Sequence, residues 1–207
     1  MPAKFDLHMH TVRHSPDSLI NPLALVRRAH ALGLDGIVIT EHDWLWTTEE
    51  LDELRAAVPG FLVFGGIEVS TMEGHFLVHG VTDPFALPRG IGVAELCREV
   101  HRQGGAAIAA HPFRWGQLFD VILRDQKPDL DGLEVLTSNM DAECRVRAAE
   151  VWEQTGWTAL GSSDAHHEEL IGVCYTEFEH TIRDQHDLIE ALRSGMATPR
   201  ERTHEWA

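Results

Sequence analysis

The chain has 207 residues and a formal net charge of −16, with 43% hydrophobic and 24% charged residues. This length fits one domain with a sizeable core, and no apolar run approaches the roughly 20 residues that cross a bilayer. The acidic excess argues against a duplex nucleic-acid binder, which normally presents a basic face, so neither duplex nucleic acid nor a membrane is an expected partner.

Strand-like and helix-like segments alternate from the start of the chain. A first strand is predicted around residues 4–10, followed by a polar loop. Asn21 then has the pattern of an N-cap, with Pro22 at the first helical position and Gly33 after the last one. The continuous apolar run at residues 36–40 predicts a buried parallel strand.

The alternation of strands and helices continues to residue 161. Further strands are predicted at residues 61–64, 67–69, 75–79, 106–110, 133–136 and 158–161, and helices at 48–58, 93–100, 117–125 and 141–154. Strands that alternate with helices at this spacing indicate an α/β architecture with parallel strands. A barrel is favoured over an open sheet because candidate ligands follow nearly every strand, and barrels gather their sites at that end.

Two pairs of ligand-type side chains stand at opposite ends of the sequence. His8 and His10 follow the first predicted strand, and Asp164 and His166 follow the last one. Side chains two residues apart in a strand point the same way. Each pair therefore offers two neighbouring ligands at a strand end, which predicts a metal cluster.

More candidates follow the strands between these pairs. Imidazole and carboxylate groups together suit zinc, iron or manganese, whereas an all-oxygen set suits magnesium or calcium. No cysteine is placed to join them, which argues against a structural zinc site. The additional candidates are Asp17, His42, Glu68, His75, His111 and Glu134.

The motifs that contain these residues resemble the PHP (polymerase and histidinol phosphatase) family of metal-dependent phosphoesterases. They occur in the family's order and span residues 5 to about 199. The matching segments are His8-Met9-His10-Thr11 with Ser15 and Asp17, Ile39-Thr40-Glu41-His42-Asp43, Gly66-Ile67-Glu68, Gly74-His75-Phe76-Leu77, Ala110-His111-Pro112 and Gly161-Ser162-Ser163-Asp164-Ala165-His166.

The resemblance implies a single domain over residues 1–207, folded as a distorted (β/α)7 barrel with a metal site at the C-terminal ends of the strands. It also implies two to three divalent zinc, iron or manganese ions in a trinuclear site. The first ion is expected on His8, His10, Glu68 and Asp164; the second on the bridging Glu68 with His75 and His111; and the third on Asp17, His42 and His166.

Two positions need comment. Glu41 stands where the family more often has Asp before the histidine, and we interpret it as a supporting residue rather than a ligand. His79 lies four residues after His75 on the same predicted strand, so both side chains face the same way. The family spacing favours His75, and His79 is the alternative ligand.

The implied activity is hydrolysis of a phosphomonoester or phosphodiester by a metal-bridging hydroxide, with Glu68 and Asp164 as the catalytic carboxylates. The expected substrate is a small phosphorylated molecule, including nucleotides. Arg114 and His14 are candidate contacts to its phosphate, although Arg114 could instead pair with an acidic neighbour. Residues with other open assignments are His167, Glu134 and Asn139 as pocket-lining groups, and Trp44, Trp46 and Trp115 as stacking partners for a substrate ring.

Two other functions fit parts of this pattern. Amidohydrolases are also barrels that open with a His-x-His pair, but their sites often use a carboxylated lysine, and neither Lys4 nor Lys127 follows a suitable strand. A non-catalytic metal-binding module of the same family would be expected to lose ligands, whereas all the expected positions are filled here.

The three cysteines are odd in number and follow no spacing pattern. They are typical of reduced thiols rather than of a disulfide framework. We therefore expect a cytoplasmic protein.

Overall fold

One sheet of nine strands alternates with six α-helices through residues 2–202, the part of the chain that the computed structural model describes. Residue 1 and residues 203–207, which the expected single domain also covers, lie outside the described residues, and that domain assignment stays a prediction. The strands are β1 (Ala3–Asp6), β2 (Gly36–His42), β3 (Leu62–Ser70), β4 (His75–His79), β5 (Ala106–Ala109), β6 (Gly132–Thr137), β7 (Thr158–Ser162), β8 (Cys174–Phe178) and β9 (Ala197–Glu201). The helices are α1 (Pro22–Ala31), α2 (Thr48–Ala57), α3 (Val93–Arg102), α4 (Phe119–Gln126), α5 (Ala142–Thr155) and α6 (Gln185–Ser194).

The sheet curves into a nearly closed barrel. Its strand order is β7-β6-β5-β4-β3-β2-β1-β8-β9, and β1 to β3 are parallel, as are β5 to β7. Beyond the ends of β1 and β7, Met9 forms a parallel bridge with Ala165, and the Asp164 backbone N–H donates to the His8 carbonyl at 2.8 Å. These contacts close the ring at the carboxyl end of the strands and confirm the predicted distorted (β/α)7 barrel.

Strand β4 runs against the expected direction. It pairs antiparallel with both β3 and β5, because only residues 71–74 join it to β3. A parallel pair needs a crossover of a dozen or more residues, so this short turn forces a hairpin. The predicted strands 61–64 and 67–69 are one strand, β3. Gly66 continues it opposite His79, where a Cβ atom would lie 2.9 Å from the His79 ring.

The first strand is shorter than predicted, and the side of the chain that faces the barrel interior changes after it. Regular pairing of β1 ends at Asp6. Phe5 and Leu7 pack in the core cluster that contains residues of the neighbouring barrel strands, whereas Met9 packs in the cluster under α1. The change between Leu7 and His8 turns the even-numbered residues inward, which is what directs both histidines of the opening pair into the barrel.

Helix α6 closes the amino end of the barrel. Its Ile189 packs in the same interior cluster as Phe5, and the backbone N–H of Gly195, just after the helix, donates to the Thr158 hydroxyl at 3.1 Å. Gly80, at the end of the reversed strand, lies so close to Ile189 that a Cβ atom would come within 2.8 Å of it. With one end filled by apolar packing, the opposite end is left for polar chemistry. Among the described residues, no helix is long and apolar enough to cross a membrane.

Candidate metal centre

The opening and closing pairs meet at the carboxyl end of the barrel. The His10 backbone N–H donates to the Ala165 carbonyl at 3.0 Å, which fixes the two segments side by side. The Nε2 atoms of His8 and His10 are 3.1 Å apart, and each lies 3.3 Å from Asp164 Oδ1. Glu68 Oε2 lies 3.5 Å from His8 Nε2 and 3.3 Å from His10 Nε2. The four residues expected at the first ion therefore surround one point.

Glu68 joins this point to a second group of donors. Its other oxygen, Oε1, lies 2.9 Å from His75 Nδ1 and 3.0 Å from His111 Nε2. Because its two carboxylate oxygens face different imidazole groups, Glu68 has the geometry of a bridging ligand. The structure brings together the residues expected at the second ion.

The third group lies nearer the surface. Asp17 Oδ2 is 3.1 Å from His42 Nε2 and 3.3 Å from His166 Nε2. The other ring nitrogen of His42 is 2.7 Å from Glu68 Oε2, so this group is continuous with the first. All nine side chains expected to bind metal thus lie in one connected cluster.

Buried acceptors hold the two deepest histidines in position. The Nδ1 atom of His8 lies 3.0 Å from Glu134 Oε1, and His10 Nδ1 lies 3.2 Å from the Ser15 hydroxyl. Glu134 also receives hydrogen bonds from the Ser162 hydroxyl and from the His111 backbone N–H. A hydrogen bond at Nδ1 fixes the ring orientation and leaves Nε2 free for a metal.

Glu41 has a supporting place of this kind. It is fully buried and accepts hydrogen bonds from the hydroxyls of Thr11 and Ser15 and from Trp46 Nε1. The Ser15 hydroxyl is the group that contacts His10. The Glu41 carboxylate therefore organises the loop around His10, and it lies outside the nine-residue cluster.

The cluster has the character of a metal site. Glu68 Oε2 and Asp164 Oδ1 are buried, and no donor among the described residues meets either atom with good hydrogen-bond geometry. Imidazole nitrogens nevertheless lie close to both atoms: His42 Nδ1 is 2.7 Å from Glu68 Oε2, and His8 Nε2 is 3.3 Å from Asp164 Oδ1. Buried polar groups in native proteins normally have hydrogen-bond partners, so carboxylate oxygens that meet only poorly aligned ring nitrogens fit the binding of a cation. Three combinations of cluster residues bring three ligand atoms within 4.8 Å of one another. The mixture of imidazole and carboxylate groups suits a transition metal.

Electrostatics support the same conclusion for the metal-free protein. Burial opposes the charge of Glu68, but His8 and the histidines in contact with its carboxylate, His111, His42 and His75, hold its pKa well below its usual range. Burial likewise opposes the positive charge of His42, but Glu68 and Asp17 raise its pKa to about 9. A proton on His42 thus balances part of the negative charge that metal ions balance in such sites.

Of the two histidines on β4, only His75 contacts the cluster. His79 is fully buried beside Gly66, and neither of its ring nitrogens has a hydrogen-bond partner in the described residues. Burial lowers the pKa of His79 to about 3, so the ring is neutral. The geometry favours His75 as the ligand, as the spacing did.

A cleft of about 280 Å³ opens over the cluster. Arg114 lines it and donates to Asp164 Oδ2 at 3.1 Å, so this arginine both faces the cleft and pairs with an acidic neighbour. Asn139 also lines it and donates to the same oxygen at 2.6 Å, and His167 stands at its edge. His14 is not among the described lining residues; it contacts Glu50 at 3.1 Å and stacks on Trp44.

The sequence left Glu134 and Asn139 open as lining or structural groups, and the contacts of each were not predicted. Glu134 lines no part of the cleft and supports His8 from below, whereas Asn139 lines the cleft and holds Asp164. The available signal was weak: Glu134 is a carboxylate in an otherwise apolar strand, and nothing in the sequence says which histidine it meets.

Comparison with known proteins identifies the class. The family model for the PHP domain matches residues 6–143, and a second model described as PHP-associated matches residues 145–197. The chain therefore belongs to the PHP family, a family of metal-dependent phosphoesterases.

Two individual proteins are similar to this chain in sequence. An uncharacterized protein of Methanocaldococcus jannaschii is 29% identical over 150 residues, which cover 65% of this chain and 82% of that protein. A 5′-3′ exoribonuclease of Haemophilus influenzae is 34% identical over 71 residues, which cover 34% of this chain and 25% of the exoribonuclease.

Solved structures share the fold. A two-domain Bacteroides vulgatus protein that contains a PHP-like metal-dependent phosphoesterase has a TM-score of 0.76 and 24% identity, with 97% of this chain and 65% of that protein covered. The lesion-specific endonuclease of Pyrococcus furiosus has a TM-score of 0.67 and 17% identity, with 96% of this chain and 58% of the endonuclease covered. The chain thus spans less than two thirds of either protein.

Proposed function

We propose that this protein hydrolyses phosphate esters of small molecules, with two to three divalent zinc, iron or manganese ions held by the nine clustered side chains. The observation that carries the proposal is the pair of buried carboxylate oxygens of Glu68 and Asp164, which face ring nitrogens without good hydrogen-bond geometry under an open cleft. The three carboxylates of the cluster would be more than neutralised by three divalent ions, which leaves a positive site for a phosphate. This resolves how a chain of net charge −16 binds an anion.

Bound metal ions supply two things in such sites: they lower the pKa of a coordinated water to about 7, and they stabilise charge on the phosphoryl oxygens. The chain's own residues orient the reaction. Arg114 and Asn139 hold Asp164 Oδ2, which fixes this carboxylate at the floor of the cleft, and Arg114 also offers a cation to the substrate's phosphate. Asp164 is the protein group that takes or relays the proton of the attacking water.

No protein nucleophile is needed or offered by the described residues of the cleft. The Ser162 hydroxyl donates to Glu134 and the Ser163 hydroxyl to the His8 carbonyl, so both are engaged. Cys97 and Cys174 are buried, and burial raises the pKa of each thiol to about 12. We expect alkylation of thiols to leave activity intact.

The two other functions have less support. One structural neighbour is named an amidohydrolase from Chromobacterium violaceum, at 18% identity and a TM-score of 0.61. Neither lysine can bridge metals here, because Lys4 lies in β1, near the opposite end of the barrel, and Lys127 follows α4. A non-catalytic module does not require all nine positions to be filled.

A panel of nucleotides, sugar phosphates and phosphodiesters, assayed with added manganese, iron or zinc, tests the proposal together with elemental analysis. We expect two to three ions per chain and release of phosphate or a monoester that a chelator abolishes. In oxygen-18 water, single turnover should place one labelled oxygen on the released phosphate. Fewer than one ion per chain, or a trapped phosphoryl-enzyme, would overturn the proposal.

A further inference from the structure

Trp115 is an exposed aromatic residue beside the cluster, and the proposed function does not use it. Its side chain is 75% exposed, whereas Trp46, which also follows a ligand motif, is 3% exposed. Its indole ring stands close to two cluster residues, with ring centroids 6.0 Å from His75 and 5.6 Å from His111. It lines the cleft over the cluster. A large apolar surface is thus left open to solvent at the mouth of the candidate active site.

The loop that carries Trp115 is held firmly in an uncommon conformation. Phe113 and Trp115 both have positive φ angles, of 73° and 54°, in which bulky side chains are rarely found. Phe113 is buried in the core, and Gln117 anchors the loop by donating to the Glu73 carbonyl at 3.0 Å. Strained backbone persists where the surroundings enforce it, and it concentrates at functional sites. Here it presents the indole to the cleft.

One face of the indole is already covered. The guanidinium of Arg114 lies 3.9 Å from the ring centroid, in cation–π contact. Because three quarters of the Trp115 surface is still exposed, the face away from Arg114 is open. Arg114 also holds Asp164, so the ring is fixed relative to the floor of the cleft.

A second cleft of about 350 Å³ adjoins the first at Trp115. It lies between the turn at residues 71–74 and the loop at residues 111–117, and it shares His75, His111, Arg114 and Trp115 with the first cleft. Besides the shared groups, its one charged lining residue in the described part of the chain is Glu73, and its Met72 is 75% exposed. A negative charge and an apolar side chain disfavour a second phosphate and suit a neutral, flat group.

We propose that Trp115 is a specificity-determining residue that stacks on the ring of phosphoesters whose alcohol carries a flat aromatic group, as nucleosides and aryl alcohols do. The phosphate lies over the nine-residue cluster, and the ring lies on the open face of Trp115 at the entrance to the second cleft. Stacking on an exposed aromatic side chain tolerates different rings, so the preference is for a planar group rather than for one base. This inference rests on the proposed function for its reaction.

Two substrates that share one ester and differ by the ring test it: adenosine 5′-monophosphate and ribose 5-phosphate. With manganese-loaded protein, we expect the wild type to prefer the nucleotide in kcat/KM. Trp115→Ala should lower that preference about tenfold, mainly through KM, Trp115→Leu should act alike, and Trp115→Phe should retain most of it. Trp44→Ala is the matched control, since Trp44 is 49% exposed but is not among the described residues that line either cleft.

Calorimetric binding of the same two compounds separates this inference from the proposed function. If neither compound is hydrolysed, but the nucleotide binds more tightly and Trp115→Ala removes the difference, then the stacking site stands and the proposed reaction fails for both compounds. If the wild type shows no preference for the nucleotide in binding or turnover, or if Trp115→Ala and Trp115→Leu leave the preference unchanged, the stacking proposal is wrong. Thermal melts of each variant verify that it is folded.

Discussion

At the scale of single residues, Glu134 contacts two segments of the cluster, although the sequence gives little sign of this role. It is fully buried, one oxygen receives a hydrogen bond from the Ser162 hydroxyl and contacts His8 Nδ1, and the other accepts from the His111 backbone. A carboxylate can accept on both sides, whereas an amide must turn an N–H₂ group toward one of them. Glu134→Gln should therefore misplace His8 or the His111 segment and weaken metal binding about 10- to 100-fold.

Competition with a fluorescent chelator measures this loss. Glu153→Gln, an exposed position on α5, makes the same chemical change away from the site and should bind metal like the wild type. Equal affinity for the Glu134→Gln and Glu153→Gln proteins would show that the carboxylate has no part in holding the ligands.

The two histidines of β4 make a second prediction at this scale. His75 contacts Glu68 Oε1 at 2.9 Å and is partly exposed to the cleft, whereas His79 is fully buried and touches none of the nine residues by a hydrogen bond. His75→Ala should lower the bound metal by one ion per chain and abolish most of the hydrolysis. His79→Ala should keep the metal and lose stability instead, by about 1–3 kcal/mol, because it opens a cavity. Metal content that falls in the His79→Ala protein and not in the His75→Ala protein would reverse the assignment.

At the scale of elements, the sequence predicted both the alternation of strands and helices and the candidate site residues, because both follow from where apolar runs end. Most of the nine clustered side chains lie at or just after the end of an apolar run, and in a barrel such positions converge. The exceptions are Asp17, in the loop after His10, and His75, at the start of the reversed strand β4. The direction of β4 was missed because an apolar run has the same composition in either direction, and only the length of the 71–74 turn decides it. The final β8–α6–β9 unit was missed because neither strand has a continuous apolar run: β8 alternates buried and half-buried residues and includes Thr176 and Glu177, and the residues of β9 are half-buried or exposed.

The β8–α6–β9 unit packs against β7 at a glycine, Gly161. Strand β7 approaches β8 and β9 so closely at Gly161 that a Cβ atom would lie 2.6 Å from the Tyr175 carbonyl oxygen and 3.1 Å from the Arg200 nitrogen. Backbone cannot give way as a flexible side chain does. Gly161→Ala should therefore push the strands apart and lower the free energy of unfolding by about 2 kcal/mol or more.

Urea denaturation measures this change. Gly92→Ala is the matched control, because its new Cβ would meet only the ends of two flexible side chains, Met72 Cε at 3.6 Å and Glu73 Oε1 at 3.9 Å, which are ordinary contacts. Loss of stability in the control alone, or in neither protein, would mean that the closure of β7 tolerates a side chain.

At the scale of the whole molecule, the carboxyl end of the barrel concentrates buried charge that the protein alone balances only in part. Glu68 and Asp164 each have a buried oxygen there that no donor meets with good hydrogen-bond geometry among the described residues, and the chain as a whole carries a net charge of −16. Metal ions that bind the folded state and not the unfolded chain stabilise the fold by mass action. Removing metal with a chelator should lower Tm by about 5 °C or more, and manganese or zinc should restore it. A Tm that is independent of metal in calorimetry would contradict the assignment of the cluster.

The protons that the metal-free cluster holds give the last prediction. Burial opposes the charge of His8, but Asp164, Glu134 and Glu68 raise its pKa well above its usual range, and the pKa of His42 is raised to about 9. A ring nitrogen binds a metal ion only after it loses its proton. At neutral pH these rings must therefore release protons as metal binds, and protons compete more strongly with metal as the pH falls below about 9.

The apparent affinity for manganese should decrease steadily from pH 9 to pH 6. Titration calorimetry in two buffers of different ionisation enthalpy should show at least one proton released per chain at pH 7, and fewer in His42→Asn. Binding without proton release, or affinity that rises as the pH falls, would show that these histidines are not the ligands.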